Sequence, residues 1–198
     1  WLMGEIIHGD YNRWANPDML DSVTNYECYK GIYSSLNSMN LFEIAHSLNR
    51  QFGPEQWCIY RGKHLMTFVD NHDTQPGQAL QSFVENWFKP IAYSIILLRN
   101  DGYPCVFYGD YYGIPHDNIE PMNDLKTLIQ IRKEKSYGMQ HDYFDNNNYI
   151  GWTQEGDDEH IKSGIAVVIS TAGDGYKRMY VGNQNAGEVY IDALDNCQ

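Results

Sequence analysis

The run Leu65-Met66-Thr67-Phe68-Val69 stops abruptly at Asp70-Asn71-His72-Asp73, and this junction constrains the fold most. Five residues are too few for a buried helix. The run lacks the apolar–polar alternation of a half-solvated strand, so it predicts a strand buried on both faces that delivers polar groups at its tip. Helical stripes flank it. Leu41, Ile44, Ala45, Leu48 and Phe52 recur at helical spacing from about Asn40, where Asn40 and Glu43 suit an N-cap pair and Gly53-Pro54 a stop. Phe83, Trp87, Ile91, Ile95 and Leu98 predict a second helix closing at Asp101-Gly102, with Pro90 disturbing its early turns. Cys105 to Tyr108 predicts another strand, ending in Gly109-Asp110. A third helix is predicted from about Asn123 to Lys135 on Leu125, Leu128, Ile129 and Arg132. With a partial strand at Trp1-Leu2-Met3-Gly4, this alternation predicts a parallel α/β arrangement over residues 1–138.

The pattern changes after Gly138. Tyr149 to Thr153, Gly164 to Ser170, Lys177 to Val181 and Val189 to Asp192 read as strands between Gly-bearing polar loops. Residues 139–198 are therefore expected to form a second, antiparallel β domain, incomplete at its last segment.

Charge narrows the partners. Fourteen Lys and Arg against 26 Asp and Glu leave a net charge of −12, which repels a phosphate backbone, so nucleic acid is not an expected partner. The longest apolar stretch, Ile91 to Leu98, is interrupted by Ser94 and followed by Arg99, far short of a membrane span. Cys28, Cys58, Cys105 and Cys197 lie far apart without a Cys-x-x-Cys pair, which predicts free or buried thiols rather than zinc ligands or a disulfide framework. Sixteen Tyr and five Trp offer flat faces with polar edges that suit stacking on neutral sugars, although most of them serve packing. The start at Trp1, without an initiator Met, is expected to be a cut end, and secreted and cytoplasmic locations both stay open.

Polar groups at the C-terminal ends of parallel strands are where barrel enzymes keep their chemistry. Two tips qualify here: Glu5 after the first partial strand, and His72 with Asp73 after the buried one. A lone Glu after a strand is ordinarily a solvated surface group, and Asp and Asn are ordinary turn formers. A His between two acids at the end of a buried strand is a less ordinary turn. Retaining cleavage of a glycosidic bond needs an acid/base carboxyl and a second carboxyl about 5 to 5.5 Å away. Glu5 and Asp73 can meet that need only if both strands point into one pocket. Asn71-His72-Asp73 is also similar to strand-tip segments of metallophosphoesterases, but the Asp-x-His motif that accompanies them is absent.

Phe68-Val69-Asp70-Asn71-His72-Asp73-Thr74-Gln75 resembles the seventh-strand motif of the α-amylase family, family 13 of the glycoside hydrolases. Gly102-Tyr103-Pro104-Cys105-Val106-Phe107-Tyr108-Gly109-Asp110 is similar to its eighth-strand segment, and Met3-Gly4-Glu5-Ile6 to its fifth-strand motif. His141-Asp142-Tyr143-Phe144, Ile150-Gly151-Trp152-Thr153 with Gly156-Asp157, and Lys177-Arg178-Met179-Tyr180-Val181-Gly182 are similar to the β domain of bacterial liquefying-type α-amylases. The stretches His8-Gly9-Asp10-Tyr11 and Asn25-Tyr26-Glu27-Cys28-Tyr29 look closer to another branch of the family.

The resemblance implies the C-terminal half of a (β/α)8 TIM barrel, strands five to eight with their helices, followed by a partial antiparallel all-β domain. It implies retaining hydrolysis of α-1,4-glucosidic bonds in starch-like glucans, with an α-glucan or oligosaccharide as substrate. Glu5 would be the acid/base, Asp73 the transition-state stabiliser, and His72 and Gln75 substrate-binding residues. The family's nucleophilic Asp lies on a fourth-strand motif that these 198 residues do not contain. The chain alone is therefore expected to be close to inactive and to need the N-terminal half of its barrel as a partner. A catalytically inactive amylase-like carbohydrate-binding or scaffold protein is the alternative. The family also implies calcium in a full-length parent. In the liquefying type an acidic residue joins the tail His-Asp, here His141 and Asp142. Thr171 stands in its place, so a site there is expected to be weak or absent.

Overall fold

The computed structural model describes residues 1–7, 18, 20–52 and 64–195. His8-Gly9-Asp10, the Gly53-Pro54 stop, Cys58 and Cys197 lie outside the described residues.

Among the described residues four strands, β1 (Met3–Gly4), β2 (Ser22–Thr24), β3 (Leu65–Phe68) and β4 (Tyr103–Cys105), form one parallel sheet in the order β1-β2-β3-β4. Met3 pairs with Ser22, Val23 with Leu65, and Met66 with Tyr103, so the strand tips share one edge. The expected strand at Cys105 to Tyr108 sits earlier. Cys105 is level with Phe68, the last residue of β3, so the ladder ends there, and Tyr108 opens the short helix α4 (Tyr108–Tyr112). Periodicity gave no sign of β2, since three residues carrying two hydroxyls make no apolar run. Ser22 and Thr24 are both buried, and the Thr24 hydroxyl is partnered across the sheet, with the Ile6 amide donating to Thr24 Oγ1 at 3.1 Å.

Helix α1 (Tyr26–Ser38) follows β2. Asn25 caps it by accepting from the Cys28 amide at 3.0 Å, and Tyr26, Tyr29, Ile32 and Leu36 line its buried face. Helix α2 (Phe42–Phe52) is started by Asn40, whose Oδ1 accepts from the Phe42 amide at 3.0 Å. Helix α3 (Lys89–Leu97) begins later than its apolar stripe predicts, with Phe83 and Trp87 before it. The cause is Pro90: in a first turn its missing N–H costs nothing and its fixed φ favours the helix. Helix α5 (Leu125–Lys135) packs Leu125 and Leu128 into the core beside Ala92, Tyr93, Ile95 and Ile96 of α3. No helix among the described residues is long and apolar enough to cross a membrane.

The second sheet is antiparallel, in the order β5 (Gln140–Tyr143), β6 (Tyr149–Gln154) and β7 (Ile165–Ser170). Ile150 and Trp152 of β6 join the core, and Trp152 Nε1 donates to the Leu98 carbonyl at 2.8 Å. Where residues 135–138 lead into β5, Gly138 adopts φ +86°, and a Cβ there would stand 2.1 Å from the Gly156 carbonyl oxygen. The expected strands at Lys177 to Val181 and Val189 to Asp192 do not form. Side chains hold the first in place of a ladder, with Thr153 Oγ1 donating to the Tyr180 carbonyl at 2.6 Å and the Tyr180 amide donating to the Tyr143 hydroxyl at 2.8 Å. In the second, Val189 and Ile191 on one face are each 87% exposed and Tyr190 on the other is 43% exposed, so neither face is buried as strand pairing on a core requires.

Candidate active site

Glu5 directly follows β1, and His72 and Asp73 lie in the turn after β3. Because the strands run parallel, both tips emerge at the same edge. One carboxylate oxygen of Glu5, one of Asp73 and a ring nitrogen of His72 all lie within 4.8 Å of one another. His72 Nε2 stands 3.6 Å from Asp73 Oδ1. Glu5 and His72 are exposed and Asp73 half-buried, so the cluster is open to a ligand.

The turn carrying His72 and Asp73 is fixed by its two predecessors. Asn71 Oδ1 accepts from the amides of Asp73 and Thr74, both at 3.0 Å, which closes an Asx turn. The Asp70 carboxylate is buried and accepts from Thr74 Oγ1 at 2.9 Å and from the Val84 amide at 3.2 Å. Lys89 Nζ lies 3.6 Å from Asp70 and hydrogen-bonds Asp110, which also accepts from the Tyr93 hydroxyl at 2.6 Å. One buried ammonium thus serves two buried carboxylates. Burial pushes the Asp70 carboxyl up to about 7; the Lys89 charge opposes the rise and the Asp110 charge adds to it.

Sequence reasoning singled out neither this Lys89–Asp110 support nor Tyr26. The Tyr26 hydroxyl donates to Glu5 Oε1 at 3.0 Å and accepts from Asn71 Nδ2 at 2.9 Å. Its ring is buried and meets Phe68 edge-on at 4.9 Å between centroids. The available signal was the place of Asn25-Tyr26 right after Ser22-Val23-Thr24, at the tip of the strand between β1 and β3.

Gln75 is half-buried further along the same turn, its amide donating to the Asn71 carbonyl at 3.2 Å. His141 and Asp142 are adjacent on β5 and so face opposite sides of the sheet. Both Asp142 oxygens are taken by Arg99, at 2.7 and 2.8 Å, and His141 Nε2 lies 2.6 Å from Glu155 Oε1. Thr171 does not join them: the register sets Asp142 level with Trp152 and Val167, while the Thr171 amide bonds the Asn148 carbonyl at 3.1 Å. This pair does not fit a calcium site, which needs several free oxygen ligands converging on one point.

No protein-family model matches the chain. An α-amylase of Geobacillus stearothermophilus is 55% identical to it over 201 residues, spanning 99% of this chain and 36% of the relative. An α-amylase of Bacillus licheniformis is 53% identical over 66% of the chain and 26% of its own length. The chain belongs to the α-amylase family. The cytoplasmic α-amylase of Escherichia coli is a more distant α-amylase relative, 39% identical over 68% of the chain and 29% of its own length. The Geobacillus α-amylase aligns across nearly the whole chain, so the two parts that resembled different branches occur together in one relative.

Solved structures agree on the fold. A cyclic α-maltosyl-(1→6)-maltose hydrolase from Arthrobacter globiformis superposes with a TM-score of 0.60 at 17% identity, covering 85% of this chain and 41% of that one. A γ-cyclodextrin glucanotransferase from an alkalophilic Bacillus clarkii gives 0.58 at 20% identity, covering 85% and 27%. The fold is that of the C-terminal half of a (β/α)8 barrel followed by part of an antiparallel β domain. The chain spans about a third of the length of the Geobacillus α-amylase and about a quarter of the Bacillus licheniformis one.

Proposed function

We propose that this chain carries one side of the active site of a retaining glycoside hydrolase that cleaves α-1,4-glucosidic bonds in starch-like glucans. The observation that carries the reading is the convergence of Glu5, His72 and Asp73 within 4.8 Å from two strand tips. In this reading Glu5 protonates the leaving oxygen and then activates water. Asp73 stabilises the positive charge developing on the distorted sugar, and His72 hydrogen-bonds its hydroxyls. Gln75 contacts substrate from the same turn. The nucleophile belongs to a fourth-strand motif outside these 198 residues, so the activity is that of the protein with a complete barrel. Residues 1–138 form the catalytic barrel portion and 139–198 the β domain. Calcium in the complete protein would use oxygen ligands other than the His141–Asp142 pair.

The test is Asp73→Asn in the full-length protein. Turnover on soluble starch is expected to fall by roughly 10³-fold or more with the melting temperature unchanged. Near-normal turnover would overturn the reading. A full-length protein that releases no reducing ends from starch would favour the inactive carbohydrate-binding alternative.

A further inference from the structure

We infer that Tyr26 is a positioning residue for the acid/base carboxyl, holding Glu5 in place and tying it through Asn71 to the turn that carries Asp73. This rests on the reading of Glu5 given above. The hydrogen-bond directions follow from the backbone. Asn71 Oδ1 accepts from two main-chain amides, of Asp73 and Thr74, so its amide orientation is fixed and Nδ2 must face Tyr26. Nδ2 can only donate, so the Tyr26 oxygen accepts, and its single proton is left for Glu5 Oε1 at 3.0 Å.

Two consequences follow for Glu5. Oε1 is occupied as an acceptor, so the proton that the acid delivers sits on Oε2, the oxygen left to face a leaving group. The carboxyl is also held by a side chain that is itself immobile, since Tyr26 is 3% exposed and wedged against Phe68 and Tyr29. Burial pushes the Tyr26 phenol up to about 12, so it stays a donor across any ordinary working pH. The Glu5 carboxyl is thus joined to the main-chain amide of Asp73 by one chain of three hydrogen bonds through two side chains, which ties it to the turn that carries Asp73.

The experiment compares kcat/KM in the full-length protein on maltooligosaccharides, whose sugar leaving group needs protonation, and on a dinitrophenyl maltooligoside, whose phenolate departs without it. Tyr26→Phe keeps the ring and the packing. It is expected to lower kcat/KM on the oligosaccharides about tenfold, with kcat rather than KM affected, and to change the dinitrophenyl value by less than about twofold. Glu5→Gln should show the same selectivity with a larger loss. If Glu5→Gln is selective and Tyr26→Phe is not, the role of Tyr26 is overturned and the acid/base reading stands. If Glu5→Gln loses both substrates equally, the acid/base reading falls and this inference falls with it.

Discussion

The guanidinium of Arg99, at the C-terminal end of α3, grips both carboxylate oxygens of Asp142 on β5, at 2.7 and 2.8 Å. This joins the helical layer to the antiparallel sheet. Arg99 is 3% exposed, also donates to Asp101 at 2.8 Å, and lies 5.2 and 5.4 Å from the rings of Phe144 and Trp152. A planar fork makes all these contacts at once, whereas a compact ammonium has neither the bidentate geometry for Asp142 nor the flat face for the rings. Arg99→Lys in the full-length protein is therefore expected to destabilise it by about 2 kcal/mol. A thermal melt checks this, and an unchanged midpoint would contradict it.

Much of this architecture was legible because strong patterns had single causes. Leu65 to Val69 read as a buried strand since nothing else accommodates an apolar run that short before four polar residues, and β3 is there. Strand β2 was not legible: Ser22 and Thr24 are buried although neither is apolar, the Thr24 hydroxyl accepts from the Ile6 amide, and composition does not reveal a hydroxyl's partner. Pro90 was read as a disturbance when it is a start signal, because its effect depends on whether it falls in a first turn or an interior one. Lys177 to Val181 carries strand-forming residues, yet its partners are the side chains of Thr153 and Tyr143.

Asp70 predicts a pH dependence. Its carboxyl is raised to about 7 in the folded protein by burial, against about 4 in an unfolded chain. Between those values the folded state holds a proton that the unfolded state lacks, so this contribution to stability is complete below about pH 4 and is lost as pH rises through about 7. Asp70→Asn keeps an acceptor for Thr74 and Val84 and removes the titration. Melting temperatures from pH 4 to 8 should fall less steeply in the variant, and parallel slopes would refute the assignment.

The open sheet makes a prediction for the 198-residue chain expressed alone. Its parallel sheet has edges at β1 and β4, and Trp1, Leu2, Met3 and Tyr103 there are 76%, 63%, 48% and 55% exposed. Unpaired edges beside exposed apolar side chains favour self-association. Light scattering coupled to size exclusion should find oligomers or aggregates. A monodisperse monomer with a cooperative melt would contradict this.

The candidate site was legible to the extent that chemistry shows in residue type. His72 and Asp73 stood out as polar groups ending a buried strand, and Glu5 gained weight only from the motif around it. Their closeness was not legible, because it depends on β2 lying between β1 and β3 and setting both tips at one edge. Tyr26 escaped for a related reason. A tyrosine opening a helix is an ordinary core residue until its hydroxyl is seen between Glu5 and Asn71.

The central claim is that Glu5 and Asp73 act as one hydrolytic unit. Groups that act together are strongly non-additive when removed, because the first loss already disables the step the second would serve. The direct measurement is kcat on soluble starch for full-length Glu5→Gln, Asp73→Asn and the double variant. Each single variant is expected to lose roughly 10³-fold or more, and the double about as much as the worse single. Near-normal turnover in either single variant, or losses that multiply in the double, would contradict a shared site.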